Sequence, residues 1–293
     1  MSDFVQQQSV ECRFDSSDSW VILSPIEQSI KRKIESVGTP LKDWDIQINY
    51  GIKTGFNDAF IINTEKRNEI LDNCSSEEER TKTAELIRPI LRGRDIKRYG
   101  YNWADLWLIA TFPSRHYDIE MYPAVKAHLL SFGKERLEQT GKKYIINGEE
   151  IKARKKTSNK WFETQDSISY WDDFLLPKLI YPETTQGAFF AYDETGLFLD
   201  KTCFMMISKH ARYLQATLSS QLFEFAYKRI FSSVELGQHG FQYNKHALIK
   251  LHVKKFNESD SVAYSDEFFY NCYGITNEEI EYIVGAIQSL QNQ

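Results

Sequence analysis

WDIQINYGIKTGFNDAFII (44–62) is the stretch from which the organisation of this chain is read. Trp44, Ile46, Ile48 and Tyr50 alternate with Asp45, Gln47 and Asn49, the period-two signature of a half-buried strand. Gly51 and Gly55 then flank a turn carrying Lys53, Thr54 and Asn57, and Ala59-Phe60-Ile61-Ile62 resumes an apolar run. The spacing predicts an extended unit bent at its glycines, where backbone can approach a neighbour or a ligand closely.

Working outward, Ser24-Pro25-Ile26-Glu27 predicts a capping box with Pro at the first helical position, followed by Ile30, Ile34 and Val37 and stopped by Gly38 and Pro40. Ser75 with Glu78 predicts a second helix ending near Pro89, and Pro123 a third ending near Gly141. Leu106 to Ile109 is a short buried strand. Residues 178–183 and 187–192 are strand-like, the second joined to 197–207 through the hairpin turn Asp193-Glu194-Thr195-Gly196. His210 to Phe231 forms one long amphipathic helix, Ile249, Leu251 and Val253 alternate as a strand, and Thr276 with Glu279 caps a last helix over about 276–290. Without a βαβ rhythm, this mixture predicts an α+β fold with mixed or antiparallel sheets and packed helices. Residues 1–19 are expected to be a poorly ordered leader, and 20–293 a single domain.

The 293 residues carry 36 Lys+Arg against 41 Asp+Glu, a net charge of -5 that by itself argues against nucleic acid as a partner. The charge is unevenly placed. Residues 1–30 and 256–293 are acidic, whereas 31–255 hold 35 bases against 29 acids, a balance of +6. Within that middle, 142–160 is a basic insertion with seven bases against Glu149 and Glu150. No run of 18 apolar residues exists and no signal-peptide pattern opens the chain; scattered Cys12, Cys74, Cys203 and Cys272 predict free thiols in a cytoplasmic protein.

Catalytic signatures are missing. There is no G-x-G, no phosphate-binding G-x-x-x-x-G-K-[ST], no H-E-x-x-H and no G-x-S-x-G. The D/N-P-P-Y/F tetrapeptide of amino-group DNA methyltransferases is also absent. Asp95-Ile96-Lys97 and Glu150-Ile151-Lys152 fit the [DE]-x-K of metal-dependent nucleases, but such a site also needs an upstream acid, commonly after Pro, and none of the seven prolines is followed by Asp. A nuclease therefore stands as an alternative, as does a protein-interaction module that touches no nucleic acid.

What remains is a set of basic and amide side chains interleaved with aromatics. Arg92, Arg94, Lys97 and Arg98 cluster in LRGRDIKRYGY; Lys152, Arg154, Lys155 and Lys156 lie in the basic insertion; Lys178 precedes Thr184, Thr185 and Gln186 at a strand end; Gln238 and Gln242 follow the long helix. Arg and Lys suit phosphates, and Gln and Asn suit base edges. The first nine bases are candidate phosphate contacts; Lys53, Thr54, Asn57, Thr184, Thr185, Gln186, Gln238 and Gln242 are candidate base or groove contacts. Taken one at a time, such charge runs read as solvated faces. Their convergence carries the binding reading.

GIKTGFNDAFII (51–62), LIRPILRGRDIKRYGY (86–101), WFETQDSISYWDDFLLPKLIYPET (161–184), YLQATLSSQLFEFAYKRI (213–230) and the closing YGITNEEIEYI (273–283) together resemble the TaqI-like C-terminal specificity domain. That is the target-recognition part of type IIG restriction–modification enzymes and adenine-specific DNA methyltransferases. The resemblance implies recognition of double-stranded DNA beside a methyltransferase domain, in cis upstream or as a separate subunit. It also implies no catalysis and no cofactor within this chain. S-adenosylmethionine, with magnesium where a nuclease is present, would belong to the catalytic domains, into which the target adenine is flipped.

Overall fold

Strand Lys178–Pro182 organises the molecule, because all five of its residues are buried. In the computed structural model, which describes residues 23–231, 240–256 and 264–291, it lies inside a four-stranded antiparallel sheet. The order is Ala191–Asp193, Lys178–Pro182, Cys203–Ile207, Gln47–Tyr50. Successive strand residues point to opposite faces, and each face here feeds its own core. Leu179, Tyr181, Phe204 and Met206 join the helices Pro25–Val37, Ala211–Ser219, Asp266–Tyr273 and Asn277–Gln291. Ile180, Ala191, Cys203 and Met205 instead join a core that includes the helices Thr64–Asp72, Glu77–Leu86 and Pro123–Leu130. The α+β class with antiparallel and mixed sheets is thus observed, and the leader 1–19 lies outside the described residues.

A second sheet, ordered Phe198–Leu199, Ile87–Leu91, Leu106–Ile109, Ile61–Asn63, belongs to the second core. Two crossings join it to the first sheet. At Gly51 the N–H donates to Cys203 O (2.9 Å), and the next N–H, of Ile52, donates to Leu199 O (2.8 Å). A Cβ on Gly51 would lie 1.8 Å from Asp200 O, so only glycine fits this approach. The bend expected from 44–62 is there, but Asn57–Phe60 forms a helical turn and extended chain resumes only at Ile61.

The other crossing corrects the expected hairpin at Asp193 to Gly196. Ala191–Asp193 pairs with Lys178–Ile180, whereas Phe198–Leu199 runs parallel to Ile90–Leu91 in the second sheet. Asp193 explains the change of sheet. Its Oδ1 accepts from Thr195 N and Oγ1, and its Oδ2 accepts from Leu197 N (3.1 Å) and Lys178 Nζ (2.5 Å). A side chain that gathers the following backbone competes with continued strand pairing.

Several helix limits also differ from expectation. The long helix expected at 210–231 breaks at Ser220, which is extended and accepts from Phe223 N; helix Gln221–Phe225 then runs into a π-helical turn, Ala226–Phe231. Ser76, not Ser75, caps the helix Glu77–Leu86, and Pro89 sits in the strand that follows. The helix opened by Pro123 stops at Leu130 before Gly133 (φ 85°), leaving only a short helix at Lys134–Leu137. Asn244 caps a helical turn over Lys245–Leu248, and only His252–Val253 of the expected 249–253 strand is extended. Both predicted capping boxes at the chain's ends form: Ser24 with Glu27, and Thr276 with Glu279. The end helices are tied by Lys33 to Glu279 (2.6 Å) and Tyr282 to Glu27 (3.0 Å).

The Lys178–Asp193 pair is fully buried on both sides. Removing one partner strands a charge, so Asp193→Ala is expected to cost about 3–5 kcal/mol in urea unfolding. The double change Lys178→Met, Asp193→Leu should recover much of that loss; no recovery would show that the bonds to the turn, not the charge balance, dominate.

Candidate functional site

Leu91, the last residue of its strand, leads into Arg92, whose guanidinium donates from Nε and Nη2 to both carboxylate oxygens of Asp95 (2.8 and 2.9 Å). This fork closes a single 3-10 turn, Gly93–Asp95, and raises the arginine's pKa further. Gly93 N donates to Thr202 Oγ1 (2.8 Å), and a Cβ at Gly93 would meet that oxygen at 2.8 Å. Arg94 and Lys97 are left exposed, with Lys97 Nζ donating to Arg94 O (3.0 Å).

Opposite this turn the chain leaves the central strand at Pro182 and pairs Thr184–Thr185 with Phe241–Gln242. Gly240 (φ 94°) permits the pairing, since a Cβ there would sit 2.4 Å from Thr185 O. The two segments enclose an open groove of about 580 Å³, lined by Arg92, Arg94 and Lys97 on one side and Glu183, Thr184, Thr185 and Gln186 on the other, with Phe189, Asp200 and Thr202 between them. Two motifs far apart in sequence thus meet in one concavity.

The groove is braced from behind by the π-helical turn. Lys228 Nζ donates to Gln186 O (2.6 Å) and to Glu224 Oε1 (2.7 Å), with both side chains buried. Tyr227 OH donates to Gln242 O (2.6 Å), and its ring stacks on Tyr243 at 4.1 Å. The break at Ser220 matters here as well: Ser219 O accepts from the guanidinium of Arg98, which also lies 3.9 Å from Glu224.

Several expected contact residues serve the interior instead. Arg98 turns inward as just described. Lys178, expected at phosphate, is buried, and burial lowers its pKa against the opposing pull of Asp193. Thr185 is buried, its hydroxyl donating to Gly187 O (3.0 Å). Thr54 is buried and donates to Asn57 Oδ1 (2.6 Å), while Lys53 and Asn57 stay exposed. Arg154 is also buried: it donates to the carbonyls of Leu137, Thr54, Glu163 and Trp161, and burial lowers its pKa to about 10. Arg154 therefore staples the basic insertion to the glycine turn. Lys152, Lys155 and Lys156 are exposed outside the groove, and Gln238 lies outside the described residues.

The acid of each nuclease-like tripeptide is paired with a basic side chain. Asp95 is occupied by Arg92, and Glu150 is an exposed hairpin residue 2.9 Å from Lys143. Among the described residues, no three His, Cys, Asp or Glu side chains converge to hold a metal. No helix among them is long and apolar enough to cross a membrane.

The groove's walls both lie inside the region matched by a known family: the sequence profile described as "TaqI-like C-terminal specificity domain" covers residues 88–253. The chain belongs to this family. A solved structure shares its fold. The type IIG restriction endonuclease BpuSI superposes with a TM-score of 0.52 at 14% identity, over 92% of this chain and 33% of that one. The type IIL restriction–modification enzyme MmeI, solved in complex with DNA, gives a TM-score of 0.49 at 12% identity, over 96% of this chain and 38% of that one. This TaqI-like specificity domain thus spans about a third of the length of those two enzymes.

Glu183, Asp200 and Thr202 also line the groove of this specificity domain, and none of them is among the basic, hydroxyl and amide candidates of the sequence. Glu183 adjoins Thr184 but is neither basic nor an amide, and Asp200 and Thr202 carry no motif and arrive through sheet pairing. The staple role of Arg154 is directly testable. Arg154→Ala strands several carbonyls and should cost at least about 3 kcal/mol in denaturant unfolding, whereas Lys155→Ala and Lys156→Ala should leave the unfolding midpoint nearly unchanged.

Proposed function

We propose that this chain recognises a specific sequence in double-stranded DNA and performs no catalysis itself, acting as the specificity module of an adenine methyltransferase. The observation that carries this reading is the groove in which the exposed cations Arg94 and Lys97 face the amide and hydroxyl groups of Thr184 and Gln186. Cations of this kind neutralise phosphates and release counterions, while short polar side chains opposite them are suited to base edges. Lys53, Asn57, Lys152, Lys155 and Lys156 extend the cationic and polar surface beyond the groove. The methyltransferase domain stands upstream in the same polypeptide or as a separate subunit. S-adenosylmethionine, and magnesium if a nuclease is present, belong to that partner.

Family membership supports recognition of a DNA target, and the Asp95 and Glu150 environments support the non-catalytic part of the reading. Titration of the chain with labelled duplex over a salt series tests it. Arg94→Ala and Lys97→Ala should weaken all sequences alike and lower the log–log salt slope by about 0.9 each. An unchanged slope and affinity would overturn the assignment. Plasmid cleavage in magnesium that disappears in Glu150→Ala would overturn the non-catalytic reading in favour of a nuclease.

A further inference from the structure

Glu183 is the one acidic side chain of the PETTQ wall, and the groove it lines also holds Arg92, Arg94 and Lys97. Its carboxylate forms none of the ion pairs found among the described residues, although three cations line the same concavity. Arg92 is taken by Asp95, and Lys97 Nζ by Arg94 O. Glu183 Oε1 instead accepts from Gln242 Nε2 (2.9 Å) across the short sheet that pairs Thr184 with Gln242. The backbone on both sides is pinned: Glu183 N donates to Thr202 O, Tyr243 N donates to Glu183 O, and Tyr227 OH holds Gln242 O.

A carboxylate beside phosphates is repelled, so this position suits the part of the groove where base edges lie rather than the backbone. An ionised carboxylate only accepts hydrogen bonds, and the base groups that donate to it are exocyclic amines. In the major groove these are the N4 amine of cytosine and the N6 amine of adenine. With Oε1 engaged by Gln242, Oε2 remains as the acceptor, and the bond to Gln242 fixes which end of that amide faces Glu183. Building on the DNA-recognition reading, we infer that Glu183, oriented by Gln242, is a specificity-determining residue that selects a base bearing a major-groove amino group.

The test uses the full chain and a randomised duplex library at low salt, with binding preference read at each position by sequencing. Glu183→Gln keeps the size and the hydrogen bond to Gln242 but adds a donor. One position should then lose its preference for adenine or cytosine by roughly 5- to 150-fold, while the salt slope and melting temperature stay unchanged. The same position should respond to duplex in which purine replaces adenine, or a pyrimidin-2-one lacking the amine replaces cytosine. The unmutated chain should lose affinity for that duplex, and the Glu183→Gln chain should not. A Glu183→Gln preference profile identical to that of the unmutated chain, with DNA binding intact, overturns the inference and leaves the DNA-recognition reading standing. No duplex binding by the unmutated chain overturns both.

Discussion

The structure depends on one strand being buried on both faces. Strand Lys178–Pro182 contributes alternate residues to two hydrophobic cores, so neither core is complete without it. A strand in that position has no solvated face for a polar side chain. Lys178 is nevertheless there, compensated by Asp193 and by Phe174 O (2.5 Å). The same Asp193 also holds Leu197 N, which diverts the chain from the first sheet towards the second. The buried ion pair thus couples charge compensation to topology.

The groove follows from that arrangement. Pro182 ends the central strand, and Leu91 ends its strand in the neighbouring sheet, so the two sheet margins place 92–97 and 182–186 side by side. Asp200 N donates to Leu91 O, and Thr202 joins the two margins by accepting from Gly93 N while its own carbonyl accepts from Glu183 N. Rigid elements behind the groove serve its precision. The π-helical turn offers Tyr227 and Lys228 to Gln242 O and Gln186 O, holding the backbone of the loops whose side chains face outward.

Much of the local structure was legible. The capping boxes at Ser24 and Thr276 and the bend at Gly51 need only neighbouring residues, so their signals are complete in sequence. The division at Ser220 was not, because Tyr213, Leu214, Leu218, Leu222 and Phe225 keep a helical apolar period across it; the hydroxyl of Ser220 and the tertiary demand of Arg98 for Ser219 O interrupt the backbone. Candidate contacts divided for the same reason. Arg94 and Lys97 are exposed, whereas Arg98, Arg154 and Lys178, equally basic in sequence, serve buried partners.

By itself the sequence determined the α+β class, the capped end helices, the tight approach at Gly51, and the family, whose profile matches residues 88–253. These are properties of spacing and residue type over short stretches, where steric and hydrogen-bonding rules act locally. Tertiary structure decided which charges face solvent and which of the scattered motifs share a groove. A side chain's charge is local, but its burial and its partners are set by segments far along the chain: Asp193 for Lys178, Thr54 for Arg154, Gln242 for Glu183.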